Sequence, residues 1–577
     1  MKQSSWLSPR PSGKVWLGLL LMLVLASCGS PGNAATSDLS PQGFKYGGAV
    51  TIVPSPVGSF KLGPKDNNFN PLAPQGTLRG TKGMIYETLL FFNVENGDIK
   101  PWLATSYHWS IDVTTLALTL RQGVTWSDGQ PFTSNDVVFT LNLLHQYPAL
   151  AGSSLWNAIQ SVTNPDAHTV IVKFKYPSVP LLWQLGGQMY ILPEHIWKDV
   201  KDPVTEVNAN PVGTGPFMTN PQLFDSELYV LKRNPHYWQP GKPYVDELRY
   251  PAYTSNISAD LLLAQGSTDW TGLFVSNVQN TFVKTDSAHN HYWFPPSNVV
   301  MLYMNLTKYP FTLPAVRQAI NVAIDREKLN MVAESGYEPP AHPTGLILPT
   351  NQNFLVPDYK DMAYTKKNVA QANTLLTSAG FMKGMDGIYQ DKTGTRLAFN
   401  IDVVSGWTDW EKSCQLIADA LKDAGIAATV TPLSYSDYMS ALAMGNFDTA
   451  ISSSTITTTT GPTPYYLYDT LLNSSNTAPI GKLANGNWER WSDPATDQLL
   501  AQYARTTDLT MQRQALYGLQ RIMVQQVPAI PLVYGATWYE YSTSRFVGWP
   551  DEKNPYAMPA PYSDPDSEIV VLNLHLA

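Results

Sequence analysis

The chain has 577 residues, of which 44% are hydrophobic and 15% are charged. This balance is typical of a folded globular protein and excludes a largely disordered chain, and at about 150 residues per domain the length predicts three or four cores. The formal net charge is −8 and there is no long basic run. Nucleic acid is therefore not expected as a partner, because phosphate recognition requires clustered Lys and Arg.

The first 28 residues carry the pattern of an exported lipoprotein. Three basic residues precede the run VWLGLLLMLVL, which is too short to span a bilayer comfortably. The following LASC resembles a bacterial lipobox, in which the cysteine, here Cys28, receives a diacylglycerol. We predict a signal peptide at 1–27 and a tether at 28–44. No later apolar run reaches about 18 residues, so the body is expected to be soluble, extracytoplasmic and anchored to the cell membrane by lipid.

The other cysteine, Cys414, lies in DWEKSCQLIADALKDAGI. Trp410, Cys414, Ile417 and Leu421 are spaced by three and four residues, which puts them on one face of a helix. The pattern predicts a buried thiol that packs in a core.

The segment before residue 145 can be interpreted element by element. GGAVTIVPS predicts a buried strand, and the helical spacing of apolar residues in TKGMIYETLLFF, residues 81–92, predicts a helix. LALTL predicts a strand and SDG a tight turn. Thr133 and Asp136 form an acidic variant of the capping box, which opens a helix over NDVVFTLNLL.

The stretch from PWLATSYHW to NDVVFTLNLL, residues 101–144, resembles the family 5 extracytoplasmic solute-binding proteins, the receptors of peptide, nickel and oligosaccharide ABC importers. Further motifs of that family follow in its order: NPVGTGPF, YVLKRNPHYWQPGKPYVDELRY, PAVRQAINVAIDREKL, NVAQANTLLTSAGF, LIADALKDAGIAATV and MGNFDTAI. Each motif is weak alone. Their order over about residues 45–549 carries the resemblance.

The resemblance implies an α/β fold of the two-lobed, periplasmic-binding-protein type II-like kind, with a third subdomain inserted in lobe one. On that plan 45–85, 205–305 and 530–577 form lobe one, 86–204 the insert and 306–529 lobe two. It also implies a monomeric receptor without enzymatic activity or cofactor. Such a receptor binds a small-molecule ligand between its lobes and delivers it to ABC permease subunits with their ATPases.

Motifs of enzymes and metal sites are not found. GTGPFM lacks the third glycine of a dinucleotide fingerprint, and the sequence has no GxSxG, no phosphate-binding loop and no HExxH. His289 and His291 have a metal-like spacing without a third ligand, so no metal site is predicted. A glycosidase remains an open alternative, since its paired carboxylates are defined by spatial separation. A sensor or adhesin on the same scaffold is a further alternative.

The stretch ISSSTITTTT, residues 451–460, predicts a strand that runs into a binding loop. In the family's peptide receptors an Asp in this loop holds the ligand's ammonium group, whereas here no carboxylate lies between Asp448 and Asp469. Because a buried ammonium without a partner is costly, free peptides are disfavoured. The C-terminal WYEYSTSRFVGWPDEKNPYAMPAP resembles the cellobiose-type branch. We therefore expect a β-linked oligosaccharide, with an oligopeptide or dipeptide as the alternative ligand.

The chain has 17 Trp and 30 Tyr, several of them outside periodic segments, and aromatic rings can stack on sugar faces. Asn side chains add neutral donors and acceptors. The predicted ligand-binding residues are Asn68, Phe69, Trp270, Asn298, Asn305, Trp407, Tyr465, Tyr466 and Trp538. For each aromatic residue, core packing is the alternative.

Overall fold

The structure is a computed structural model, and it describes residues 43–54, 68–74, 77–253, 256–454 and 461–577. The predicted signal peptide and Cys28 lie outside these ranges, as do residues 455–460 of the Ser/Thr-rich stretch.

Strands and helices alternate along much of the described chain. The strands are β1 (Ala49–Val53), β2 (Leu90–Phe92), β3 (Ile99–Pro101), β4 (Ala104–Trp109), β5 (Thr115–Leu120), β6 (Ile159–Asp166), β7 (Thr169–Phe174), β8 (Phe217–Phe224), β9 (Leu228–Arg233), β10 (Glu247–Pro251), β11 (Trp270–Thr271), β12 (Asn290–Tyr292), β13 (Pro296–Met304), β14 (Met382–Lys383), β15 (Tyr389–Gln390), β16 (Ala398–Val404), β17 (Ala427–Leu433), β18 (Thr449–Ser453), β19 (Ala529–Ala536), β20 (Glu540–Ser542), β21 (Phe546–Val547) and β22 (His575–Leu576). The helices are α1 (Ser134–Gln146), α2 (Glu194–Trp197), α3 (Asn256–Ala264), α4 (Val278–Thr281), α5 (Pro314–Ala323), α6 (Arg326–Lys328), α7 (Val369–Ser378), α8 (Thr408–Asp423), α9 (Tyr435–Met444), α10 (Tyr465–Leu472), α11 (Pro494–Ala504), α12 (Leu509–Gln526) and α13 (Asp566–Asn573).

Three sheets organise the fold. A seven-stranded sheet has the order β12-β20-β11-β1-β10-β9-β8, and a five-stranded sheet has the order β17-β16-β18-β13-β19. A four-stranded antiparallel sheet, β4-β5-β7-β6, draws all its strands from residues 104–174. We call the part with the seven-stranded sheet the first lobe, residues 296–536 with the five-stranded sheet the second lobe, and residues 86–204 with the four-stranded sheet the inserted subdomain.

Two strands join the lobes. β13 and β19 pair with each other in the second sheet, although the sequence analysis placed 296–304 in lobe one and began its last segment at 530. Strand β19 is followed at once by β20 of the first sheet. The chain therefore crosses between the lobes just before β13 and just after β19.

Helices cover both faces of the five-stranded sheet. Alternate residues of β13 point to opposite faces: Val300 and Leu302 pack with α5, α7 and α8, whereas Met301 and Tyr303 pack with α9 to α12. Cys414 of α8 is completely buried in the first of these cores, as its spacing predicted. A sheet buried on both faces accounts for the nearly continuous apolar character of β13.

The predicted helix at 81–92 is wrong. The segment forms turns that lead into β2, because its backbone carbonyls are used elsewhere: Gly215 N donates to Ile85 O at 2.9 Å and Phe217 N to Met84 O at 2.9 Å. A Cβ on Gly213 would lie 1.8 Å from Ile85 O. The Gly-Thr-Gly-Pro turn thus permits two backbone segments to touch.

The predicted start of α1 is confirmed. Thr133 is the N-cap: its side chain accepts a hydrogen bond from Asn135 N, and the Asp136 carboxylate accepts one from Thr133 N at 2.8 Å. Such a cap contributes about 1 kcal/mol. The strands predicted at GGAVTIVPS and LALTL are β1 and β5.

Candidate functional site

A cavity of about 350 Å³ lies between the lobes, lined by residues of the first lobe, the inserted subdomain and the second lobe. Ligand sites in proteins have volumes of about 300–1,000 Å³. Pro296, Ser297 and Val299 of the joining strand β13 also line it. The cavity therefore lies where movement of one lobe against the other would change its size.

A short π-helical turn, Trp183–Gln188, forms the wall on the inserted subdomain. Trp183, Gln184 and Gln188 line the cavity. The turn lies tightly against β2, because a Cβ on Gly187 would meet the ring of Phe92 at 2.6 Å. The two glycines of the LGGQ sequence therefore position an indole and two amide side chains at the cavity.

The opposite wall is the beginning of α10 and the segment before it. Ser454, directly after β18, and Gly461, Thr463, Tyr466 and Asp469 line the cavity. A Cβ on Gly461 would lie 2.2 Å from the Tyr466 ring, so this ring packs directly against the backbone of Gly461. Residues 451–453 of the Ser/Thr-rich stretch form the end of β18, as the predicted strand requires, whereas the predicted binding loop falls on residues 455–460, outside the described ranges, and stays a prediction.

The two walls touch directly at one side of the cavity. The Tyr466 hydroxyl donates a hydrogen bond to Pro180 O at 2.9 Å, and the rings of Trp183 and Tyr466 have centroids 6.2 Å apart. Val179 N also donates to Ala504 O at 3.1 Å. The inserted subdomain and the second lobe are thus in contact, as in a closed form.

Besides the phenol of Tyr466, three ionisable side chains line the cavity, namely Lys82, Glu95 and Asp469. Burial lowers the pKa of Lys82, although Asp564 partly opposes the effect. Burial raises the pKa of Glu95 to about 7. Burial also raises the pKa of Asp469, while hydrogen bonds from Asn473 and its neighbours oppose that shift. The cavity therefore weakens the charge of each of these groups.

Among the predicted ligand-binding residues, Tyr466 lines the cavity. Its neighbour Tyr465 turns into the second lobe, where its ring stacks on Tyr503 at 4.6 Å and its hydroxyl donates to Asp469. Asn298 lies on β13 between cavity-lining neighbours, and its side-chain oxygen accepts a hydrogen bond from the Ser453 hydroxyl at 2.9 Å.

Three of the predicted residues are completely or almost completely buried. Trp270 is 0% exposed and donates its indole N–H to Pro559 O. Phe69 is 1% exposed and packs near Tyr229. Asn305 is 0% exposed and donates to the carbonyls of Gly445 and Phe447. The structure thus places these side chains in the lobe interiors, away from the cavity.

The other three predicted residues also lie apart from the cavity. The side-chain oxygen of Asn68 accepts from Asn70 N in a local turn. Trp407 precedes α8 and packs edge-on against Trp410. Trp538 packs edge-on against Phe274 and Phe294, with ring centroids 5.3 and 5.0 Å away. It lies between β19 and β20, where the chain crosses between the lobes.

Sequence reasoning missed several lining residues: Lys82, Glu95, Trp183, Gln184 and Gln188. Lys82 lay within the supposed helix. The glycine pair of LGGQ is the signal that could have indicated a close-packed turn at Trp183. No sequence pattern marks Glu95, which lies in an ordinary hairpin loop.

Comparison with known proteins identifies the family of the chain. The family model of the bacterial extracellular solute-binding proteins, family 5 (middle), matches residues 98–478. The chain belongs to this family. Family 5 solute-binding proteins are transport receptors without enzymatic activity, and the chain is a substrate-binding protein of an ABC importer. The predicted family and fold class are confirmed.

Two curated relatives match most of the length of this family 5 protein. The periplasmic murein peptide-binding protein MppA of Escherichia coli is 25% identical over 488 residues, which cover 80% of this chain and 83% of MppA. The glutathione-binding protein GsiB of Shigella flexneri is 27% identical over 482 residues, covering 81% and 87%.

Solved structures share nearly the whole fold. The periplasmic oligopeptide-binding protein of an oligopeptide ABC transporter from Thermotoga maritima aligns with a TM-score of 0.84 and 27% identity, covering 92% of this chain and 99% of its own. Its mannohexaose-bound form aligns with a TM-score of 0.80 and covers 92% and 98%. The oligopeptide-binding protein AppA from Bacillus subtilis, in complex with a nonapeptide, aligns with a TM-score of 0.72 and 21% identity, covering 92% of this chain and 100% of its own.

Within the described residues no group of three or more His, Cys, Asp and Glu side chains is arranged to hold a metal ion. None of the described helices has the length and apolar character needed to cross a membrane.

Proposed function

We propose that this receptor captures an oligosaccharide, β-linked and cellobiose-like, between its two closing lobes and delivers it to the permease. The observation that carries the proposal is the pair of aromatic walls: Trp183 from the inserted subdomain and Tyr466 from the second lobe border one cavity. A sugar ring that contacts both walls favours the closed form, because only that form brings both into reach.

The remaining lining suits a neutral polyol. Gln184, Asn351, Ser154, Thr463 and Thr470 supply amides and hydroxyls that both donate and accept hydrogen bonds. The mannohexaose-bound Thermotoga structure shows that a protein of this fold, at 27% identity, holds a neutral hexasaccharide.

A peptide is the second candidate, and the ionisable side chains favour it. Lys82 could pair with a peptide carboxylate, and Glu95 or Asp469 with an ammonium group. Asp469 lies at the end of the interval in which the sequence analysis found no carboxylate. Relatives named for murein peptide and glutathione point to the same class.

Isothermal titration calorimetry of the purified protein separates the candidates, with cellohexaose, mannohexaose and penta-alanine as ligands. We expect saturable one-to-one binding of a hexasaccharide and none of penta-alanine. A sugar at about 100 times its Kd should also stabilise the fold by about 2.7 kcal/mol. Binding of penta-alanine alone would replace the sugar proposal with the peptide one.

We further propose that Cys28 carries the lipid that anchors the mature protein. The residue lies outside the described ranges, and the proposal rests on the sequence LASC after an apolar run. Two acyl chains suffice for stable anchoring. The chain should sediment with membranes in a bacterial host, and Cys28→Ser should abolish labelling by a clickable fatty acid. Labelling that persists in Cys28→Ser would contradict the assignment.

A further inference from the structure

The hairpin loop between β2 and β3 is fastened to the first lobe. Asn93, which is completely buried, donates from its side-chain amide to Tyr556 O at 3.0 Å and to Pro555 O at 3.3 Å. Its side-chain oxygen accepts from Glu95 N at 2.9 Å, and its carbonyl accepts from Gly97 N at 2.8 Å. One buried amide therefore fixes the backbone that carries Glu95.

This loop presents the Glu95 side chain to the cavity between the lobes. Within the described residues no group donates a hydrogen bond to its carboxyl oxygens, whereas Oδ1 of Asp469 already accepts two. Asn473 donates to Asp469 at 2.7 Å and the Tyr465 hydroxyl at 3.3 Å. Among the described residues that line the cavity, Glu95 is thus the carboxyl whose two oxygens both accept no hydrogen bond.

The charged groups around Glu95 come from four elements. Asp566, at the start of α13, is buried and interacts with Glu95 through its charge. Its carboxylate accepts a hydrogen bond from the backbone of Met558, which lines the same cavity. Lys82 and Asp469 line other parts of the wall. Asp98 lies on the same hairpin, exposed, and accepts a hydrogen bond from the Asn96 side chain.

We infer that Glu95 is a ligand-contacting, specificity-determining residue whose carboxylate accepts hydrogen bonds from two adjacent hydroxyls of the bound sugar. A planar carboxylate has two oxygens that match a vicinal diol, and hydrogen bonds to an ionised acceptor are stronger than those to a neutral one. A fixed loop lowers the ordering cost of such a contact. The inference rests on the proposed function and names the chemical group that one end of the cavity selects.

The affinity for the sugar should therefore depend on pH. Burial raises the pKa of Glu95 to about 7 and that of Asp566 to about 8. The free protein therefore holds Glu95 largely protonated at pH 6 and largely ionised at pH 8. If the ligand binds the ionised form, its affinity should rise about tenfold between these pH values.

The test is calorimetry of the full chain with cellohexaose and mannohexaose at pH 6, 7 and 8. For wild type we expect an affinity about tenfold higher at pH 8 than at pH 6. Glu95→Gln keeps the shape of the side chain but cannot ionise, so its affinity should match wild type at pH 6 and be about tenfold weaker at pH 8. Asp98→Asn, on the same hairpin but outside the cavity, should behave as wild type.

The results distinguish the role of Glu95 from the capture of sugar itself. Hexasaccharide binding that does not change with pH in wild type, or that rises with pH equally in Glu95→Gln, would overturn the role of Glu95 while leaving sugar capture intact. Failure of both hexasaccharides to bind wild type at every pH would overturn the proposed function and the inference together. Penta-alanine, titrated in parallel, shows whether the peptide alternative applies.

Discussion

The hydroxyl of Tyr466 donates a hydrogen bond to the backbone carbonyl of Pro180 at 2.9 Å, joining the second lobe to the inserted subdomain beside the cavity. The same ring lies against the indole of Trp183. One side chain therefore lines the cavity and bridges the inserted subdomain and the second lobe.

Removing this bridge should favour an open form. Tyr466→Phe keeps the ring but loses a hydrogen bond worth about 0.5–1.5 kcal/mol, so the ratio of closed to open molecules in the free protein should fall about two- to tenfold. The measurement is single-molecule energy transfer between dyes on the inserted subdomain and on the second lobe. Tyr465→Phe is the matched control, because its hydroxyl bonds Asp469 within its own helix. Equal distributions in both variants would show that the bridge does not hold the lobes.

The turn at Gly213 should tolerate no side chain. A Cβ there would lie 1.8 Å from Ile85 O, a backbone atom that cannot move without disturbing the segment next to the cavity. We expect Gly213→Ala to lower the free energy of unfolding by about 3 kcal/mol or more. Gly384→Ala is the control, since its nearest new contact is the exposed Asp386 side chain at 3.1 Å. Urea unfolding measures both, and a change below about 1 kcal/mol for Gly213→Ala would contradict the packing.

Stability should fall as pH rises from about 4.5 to 8. Burial raises the pKa of Glu489 to about 8 and that of Asp566 to about 8, whereas both groups ionise near pH 4 in an unfolded chain. The folded state therefore binds more protons across this interval, and its stabilisation is lost as pH increases through the folded pKa values. Urea unfolding at pH 5, 6, 7 and 8 should show a loss of a few kcal/mol.

Glu489 offers a direct check of that slope. Neither of its carboxyl oxygens has a hydrogen-bond partner among the described residues, and the side chain is 0% exposed. Glu489→Gln should flatten the slope between pH 6 and 8, and Glu552→Gln, at an exposed position, should not. An unchanged slope in Glu489→Gln would show that this carboxyl does not stay protonated in the fold.

Local signals in the sequence were sufficient for many elements. The spacing around Cys414 and the pair Thr133 and Asp136 each depend on neighbours within one helical turn, and the structure confirms both. The supposed helix at 81–92 failed because the carbonyls of Met84 and Ile85 bond to a segment about 130 residues later. Helical spacing within a segment cannot reveal a distant segment that takes its carbonyls for hydrogen bonds.

The site was harder to predict, because lining a cavity is a property of tertiary packing. Trp270 and Tyr466 both lie outside long periodic segments, yet one is sealed in the first lobe and the other borders the cavity. An aromatic residue in a loop-like context does not show which way its ring points. Glu95 and Gln184 come together only through folding of the inserted subdomain, so no spacing in the sequence links them.

The central claim is that a neutral oligosaccharide is held between the lobes and released unaltered. Small-angle X-ray scattering with increasing cellohexaose or mannohexaose, followed by mass spectrometry of the recovered sugar, tests it most directly. We predict a radius of gyration that decreases with saturation and a hexasaccharide recovered intact. Scattering that does not change while calorimetry reports full binding, or recovery of shorter sugars, would contradict the account.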